Sequence, residues 1–471
     1  MLKGLGSVNC KANIKKPAPL FSLKMMAICP TVGIFPSSIL TEVGLLPPQR
    51  SSLQYAVSLP NDPPHSTDPA NRKSRSLRLW LIVTPLMLIG AVSVTHWTDK
   101  KVENTNRGTS PDVCSGPWGD LQTWDIRLEQ PQEYSGFLTV ASRGPAWNFG
   151  TLTAPATVNL LVNCGISQEE ATRVVSECKD AGSAGTILKP DEKFLLGLNP
   201  EVRSKLYKEL AANPANRFQL APYYVPNGDV GAMFDDGHPG SAKAISLVKK
   251  LSYTRNGFTY FSDPELVLSH LETTEERSYF LQDLTSQNAV MMRLLIRPDT
   301  DIDKPLNYWA LSMPGVLMKD LRPLLDAQKR LSEGGSISIL YLLPPLARER
   351  LFTSPLPPTG TQMLPDCHWT ALNYFKETPD PRMSDNDYAS HCIEENYYEI
   401  AKPGLAGDLI LVLNQQNRVI HSSVYIADDV VFTKNGINYA QPWILMREKD
   451  MVGNFSQLDP VKVAYFRRRG I

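Results

Sequence analysis

A chain of 471 residues exceeds the size at which a single hydrophobic core stops growing, about 250–300 residues, so more than one domain is expected. Its formal net charge of +0, with no basic stripe in the main body, excludes the electrostatic footprint of a nucleic-acid binder. Seven cysteines without one C-x-x-C pair exclude a zinc knuckle and a dense disulfide scaffold; no metal and no cofactor is expected, and cysteine chemistry must come from one residue.

The zero charge hides an asymmetry. Residues 1–78 carry ten Lys or Arg against Glu42, Asp62 and Asp68. Residues 1–76 are rich in Pro and Ser and lack helix or strand periodicity, which predicts a disordered cytoplasmic segment. Residues 77–98 are predicted to be a transmembrane signal-anchor or a signal peptide. Within them, 79–97 (LWLIVTPLMLIGAVSVTHW) carries no acidic or basic residue except a terminal His, and is close to the ~20 residues that span a bilayer. Arg72, Lys73, Arg75 and Arg78 precede it, a flank that the positive-inside rule retains in the cytoplasm. Ala91-Val92-Ser93 offers a cleavage site for the alternative of a removed signal. Either way the chain is expected to be inner membrane-anchored or exported, with everything beyond about residue 100 in the periplasm.

Residues 112–358 read as an α+β domain of no recognisable family. SQEEATRVVSECKDAG (167–182) and NPEVRSKLYKELAANP (199–214) have helical periodicity. Ser167 and Glu170 stand at capping-box spacing, and Gly182 suits a C-cap. AVMMRLLIRP (289–298) and SISILYLLPP (336–345) read as strands flanking a helix from about Lys319 to Leu331. Met291 and Met292 read as core, and Cys164 and Cys178 as buried or paired. The acidic loop 227–240, with Asp229, Asp235, Asp236 and His238, lacks the alternate ligands and terminal Glu of a calcium loop.

The chemistry begins at LPDCHWTALNYF (364–375), where Pro365 and Asp366 break the loop and nine residues suit a helix, with Cys367 at its N-terminus. Unpaired N–H groups and the helix dipole there favour a thiolate over a thiol of pKa ~8.5. After an irregular stretch that includes His391 and Cys392 comes KPGLAGDLILVLNQQNRVIHSSVYIADDVVFTKNG (402–436), read as three antiparallel strands. Gly407-Asp408 opens the first, His421-Ser422-Ser423 lies in the second, and Asp428-Asp429 turns into VVFTK. VKVAYFRRR forms the last strand, with Arg467 to Arg469 as its solvated end.

A Cys-bearing helix followed by an antiparallel sheet bearing His resembles the NlpC-type, papain-like cell-wall cysteine peptidases. Three motifs carry the likeness over residues 360–471: Asp366-Cys367, Lys402-Pro403 through Gly407-Asp408-Leu409, and His421-Ser-Ser-Val424-Tyr425-Ile426. The resemblance implies an α+β, papain-like C-terminal domain that hydrolyses peptide bonds of peptidoglycan stem peptides through a thioester. Cys367 would be the nucleophile and His421 its base. The family's second His, twelve residues on, is Thr433 here, leaving Thr433 as third member of the triad or Asn435 as orienting alternative, since its carbonyl accepts from an imidazole. His368 and Trp369 replace the family's small residues after the Cys and are expected to shape the substrate cleft. Two other readings stand beside this one: a thioester-forming acyltransferase or lipid/amide hydrolase of the same fold, and a non-catalytic wall-binding module. The expected partners are peptidoglycan or another amide or ester substrate, and the membrane through residues 79–97.

Overall fold

The computed structural model describes residues 24–25, 112–130, 144–178, 185–311, 318–355, 364–437 and 440–470, which belong to one compact unit. The fold is α+β with several antiparallel sheets. The expectation of a transmembrane helix is corrected: no helix among the described residues is long and apolar enough to cross a membrane. The longest of them, at 12 residues, fall well short of the ~20 required. Residues 77–98, and all of 1–76 except Lys24–Met25, lie outside the described residues.

β1 (Asp112–Gly116) and β2 (Gly119–Leu128) form a hairpin. Helices follow, including α1 (Gln168–Cys178) and α2 (Pro200–Leu210). Ser167 caps α1 by accepting from the N–H of Glu170 at 3.2 Å. The carboxylate of Glu170 turns to Arg173 instead of closing a capping box. Asn199 caps α2 through the N–H of Val202 at 2.9 Å. Both capping side chains satisfy donors that a helix start would otherwise leave orphaned. A complete capping box stands at Thr273 and Glu276, opening α3 (Thr274–Thr285). Around these helices closes one apolar cluster, drawn from residues 147–284 and including Trp147, Leu206, Tyr207, Val248, Tyr260 and Phe261. Cys164 is a free, buried thiol within it.

β3 (Gln287–Ile296) pairs with β2 on one side and, beyond α4 (Met318–Lys329), with β4 (Gly335–Ser338) on the other. In β3 Met292 is core and Met291 is exposed, the alternation a strand imposes. The run 336–345 is a strand only as far as Ser338, and Ile339–Leu342 is a 3₁₀ turn. The Ser338 hydroxyl accepts from the N–H of Leu340 and so turns the chain out of the sheet.

In the C-terminal part, α5 (Cys367–Leu372) is followed by α6 (Asn386–Asn396) and β5 (Tyr397–Ile400), then by β6 (Leu409–Leu413), β7 (Arg418–Ala427) and β8 (Val430–Lys434). β9 (Trp443–Arg447), α7 (Glu448–Phe455) and β10 (Lys462–Arg468) complete it. The strand order is β5-β10-β6-β7-β8-β9, antiparallel throughout, with Lys24–Met25 added in parallel beside Arg418 and Val419. α5 lies on one face of this sheet and α7 on the other, so β6 and β8 are buried along their whole length, and β6 reads as a continuous apolar run. α5 stops at Leu372 because the Asn373 side chain bonds the backbone of Asp380 on both its N–H and C=O. His391 and Cys392, expected in a loop, lie on α6, whose start is capped by Asp385. One apolar cluster joins Leu121, Leu294, Trp309 and Leu325 to Trp369, Leu411, Phe432 and Phe466, so β1 to β4 and the sheet's α5 face share a core. The boundary expected near 358–360 falls in residues outside the described set.

The Lys402-to-Asp408 motif is structural. Asp408 accepts from the N–H groups of Gly404 and Leu405 and receives Arg467 in a bidentate pair at 2.8 and 2.7 Å, so Arg467 is not part of a solvated end. Gly407 has φ +100, and a Cβ there would sit 2.0 Å from the Phe375 ring. Gly407→Ala is therefore expected to cost about 2–5 kcal/mol, combining backbone strain with overpacking. A chemical-denaturation midpoint within error of wild type would contradict it.

Candidate active site

Asp366 caps α5 by accepting from the N–H of Trp369 at 2.7 Å, and the Thr370 hydroxyl bonds back to the Asp366 carbonyl. All six residues of α5 are buried, Cys367 to 2% exposure. A helix of this length has little macrodipole, so the surroundings of the thiol come mainly from the sheet below it.

Two bonds fix which face of the sheet α5 covers. His368 Nδ1 lies 2.7 Å from the Ser422 hydroxyl, and the Trp443 indole N–H donates to Thr370 at 3.0 Å. Ser422 and Trp443 therefore point toward α5. Lys434 is the register partner of Trp443 and shares its face. Its ammonium stands 5.9 Å from the centre of the Trp443 ring, donates to the carbonyl of Gly436, and has no solvent exposure. Burial pulls Lys434 down to about 7, opposed by the nearby acidic groups Cys367 and Asp366. Burial also lowers the pKa of His368, which favours its neutral form.

Adjacent strand residues point to opposite faces, so His421 points away from α5. It is paired in register with Val412, whose apolar neighbours are Ile410, Tyr425, Val431, Ile444, Met446 and Met451. There the His421 ring stacks on Phe455 of α7 at 4.1 Å. His421 Nε2 is 2.9 Å from the Thr433 hydroxyl, which donates to the side-chain amide oxygen of Asn435 at 3.4 Å. His421 Nδ1 has no hydrogen-bond partner among the described residues.

The structure thus brings His421, Thr433 and Asn435 together as expected neighbours, but on the sheet face opposite Cys367. Cys367 and His421 are not brought together: with Ser422 held by α5, the residue before it cannot face α5 as well. The expected cleft residues are also relocated. His368 and Trp369 are 3% and 7% exposed; the first is held by Ser422, and the second lies under the Arg350 guanidinium at 5.3 Å. They pack the interior and do not line an open cleft. On the face of the sheet that α5 covers, the polar side chains are His368 of α5, bonded to Ser422, and the buried Lys434. Sequence reasoning gave Lys434 no role, and VVFTK, buried at every position, offers no alternation from which its face could be read. Among the described residues no group of three His, Cys, Asp or Glu side chains is arranged to hold a metal ion.

No protein-family model, curated protein or solved structure matches this chain.

Proposed function

We propose that the C-terminal part is a thiol-dependent hydrolase of amide bonds, with Cys367 as nucleophile. The observation that carries this reading is a cysteine at the start of a fully buried helix that packs, through His368–Ser422 and Trp443–Thr370 bonds, on the sheet face that also carries the buried amine of Lys434. Buried amines and imidazoles are costly to a fold and concentrate where protons are moved. The thiolate attacks a carbonyl, and the backbone N–H of Cys367 serves the oxyanion, that of Trp369 being held by Asp366. Water then hydrolyses the thioester. The substrate class, peptides of the peptidoglycan stem type, rests on the order and spacing of the three sequence motifs.

A second reading, a non-catalytic module, is favoured by the near-complete enclosure of Cys367 and by its separation from His421. Digestion of peptidoglycan by the full chain, with products read by mass, separates the two. Wild type is expected to release stem-peptide fragments, and Cys367→Ala to lose at least about three orders of magnitude in rate, as nucleophile removal does in hydrolases of this kind. Equal release by the two proteins would overturn the assignment of Cys367.

A further inference from the structure

Among the described residues four aspartates are buried: Asp263, Asp283, Asp408 and Asp450. The first three each hold an arginine, respectively Arg203, Arg127 and Arg467, as a carboxylate taken out of water requires. Asp450, in α7 and 8% exposed, has no such partner. Its Oδ1 receives the Tyr224 hydroxyl at 2.8 Å, and among the described residues it forms no ion pair. Burial holds its carboxyl above the ordinary carboxylate value, with the Tyr224 bond opposing. Asp450 also forms part of the wall of a cavity of about 40 Å³, together with Arg127, Tyr224, Met233, Asp283 and Met446. One water needs roughly 10–15 Å³, so the space is large enough for a small head group.

The charges on the cavity wall decide what it takes. Arg127 donates to the Asp283 carboxylate at 3.4 Å, to the Asp283 carbonyl at 2.6 Å and to the Ser286 hydroxyl at 3.0 Å, so its charge is already answered. Asp283 is held further by His238 Nδ1 at 3.2 Å. The charge left over is that of Asp450. We propose that the cavity binds the head of an alkylammonium, which supplies the cation that Asp450 lacks. With Oδ1 taken by Tyr224, a guanidinium has no free carboxylate edge for the two parallel bonds of its fork. An ammonium needs a single oxygen, Oδ2. A metal ion fits less well, because among the described residues no group of three His, Cys, Asp or Glu side chains is arranged to hold one. Met233 and Met446 give the alkyl stem an apolar wall that adapts in shape. The Arg127 side chain, 24% exposed, marks the side on which the cavity reaches solvent. Met446 belongs to the apolar cluster of the α7 face, so the site lies across the sheet from α5 and is independent of the role given to Cys367.

The test is NMR of the full chain labelled at its methionine methyl groups, titrated with ethylammonium, ethanol and acetate at constant ionic strength. The three probes are close in size and differ in charge. The signals of Met233 and Met446 are assigned with Met233→Leu and Met446→Leu. Ethylammonium is expected to move these two signals saturably and to leave the remaining methionines in place; ethanol and acetate are expected not to move them. Asp450→Asn keeps an oxygen for the Tyr224 hydroxyl and removes the charge, so it is expected to weaken ethylammonium binding by at least about ten-fold. Should that variant show no cooperative unfolding transition, the three probes on the wild type decide alone. Saturable shifts with acetate or ethanol as strong as those with ethylammonium would overturn the proposal. So would the absence of saturation with ethylammonium, or equal binding by a folded Asp450→Asn.

Discussion

Asp263→Ala is expected to destabilise the protein by about 3–5 kcal/mol, because it strands a guanidinium in the core. Arg203 and Asp263 face each other at 3.0 Å with side chains 0% and 1% exposed. The carboxylate also receives the Tyr207 hydroxyl at 2.6 Å, and Arg203 bonds the carbonyl of Leu195. The pair thus ties α2 to the segments on either side of it, inside the cluster of Trp147, Leu206 and Tyr207. Removing one partner leaves the desolvation cost of the other unopposed, whereas replacing both with apolar residues of similar volume removes both costs. Arg203→Met combined with Asp263→Leu is therefore expected to recover most of the loss. Urea unfolding of the wild type and the two variants decides it: a cost below about 1 kcal/mol for Asp263→Ala would show that the pair is hydrated.

What was legible in the sequence followed from local rules. The strands around His421 could be delimited because turn residues punctuate them. Asn417 and Asp428 both take positive φ, 54° and 56°, a conformation that Asn and Asp adopt more readily than other side chains. α1 and α2 could be placed from periodicity and caps. α6 was missed because its buried side chains are only Ala389, Ser390 and Ile393 in an otherwise polar run, too thin a stripe to stand out. The face on which His421 lies was not legible for a different reason. From His421 to Ala427 every residue of β7 is buried, so the sequence offers no contrast of inside and outside to set the phase of the alternation. Only the packing of α5 and α7 on opposite sides decides it. The three motifs could thus stand in the right order without bringing Cys367 and His421 together.

The same two-sided burial makes Lys434 the residue whose replacement is expected to reveal most. Lys434→Met is expected to stabilise the fold, by an amount that depends on pH in a stated direction. The folded-state pKa is about 7 against 10.5 for the ordinary amine. Between those values the unfolded chain binds a proton that the folded chain has released, so wild-type stability rises with pH across this window. Above the upper value the buried amine is neutral in both states and costs nothing on this account. As pH falls the penalty grows, and it levels off below the lower value. At one pKa unit per ~1.4 kcal/mol the full penalty is on the order of 5 kcal/mol. Methionine keeps the stem's volume and removes the charge, so its advantage should be largest at and below pH 7 and vanish toward pH 10.5. Denaturant unfolding at several pH values measures this directly. A stability difference that does not change with pH would mean that the Lys434 ammonium is solvated in the folded protein. A gain that follows the expected curve would show stability given up to keep a titrating amine in the interior, the trade expected of a functional group.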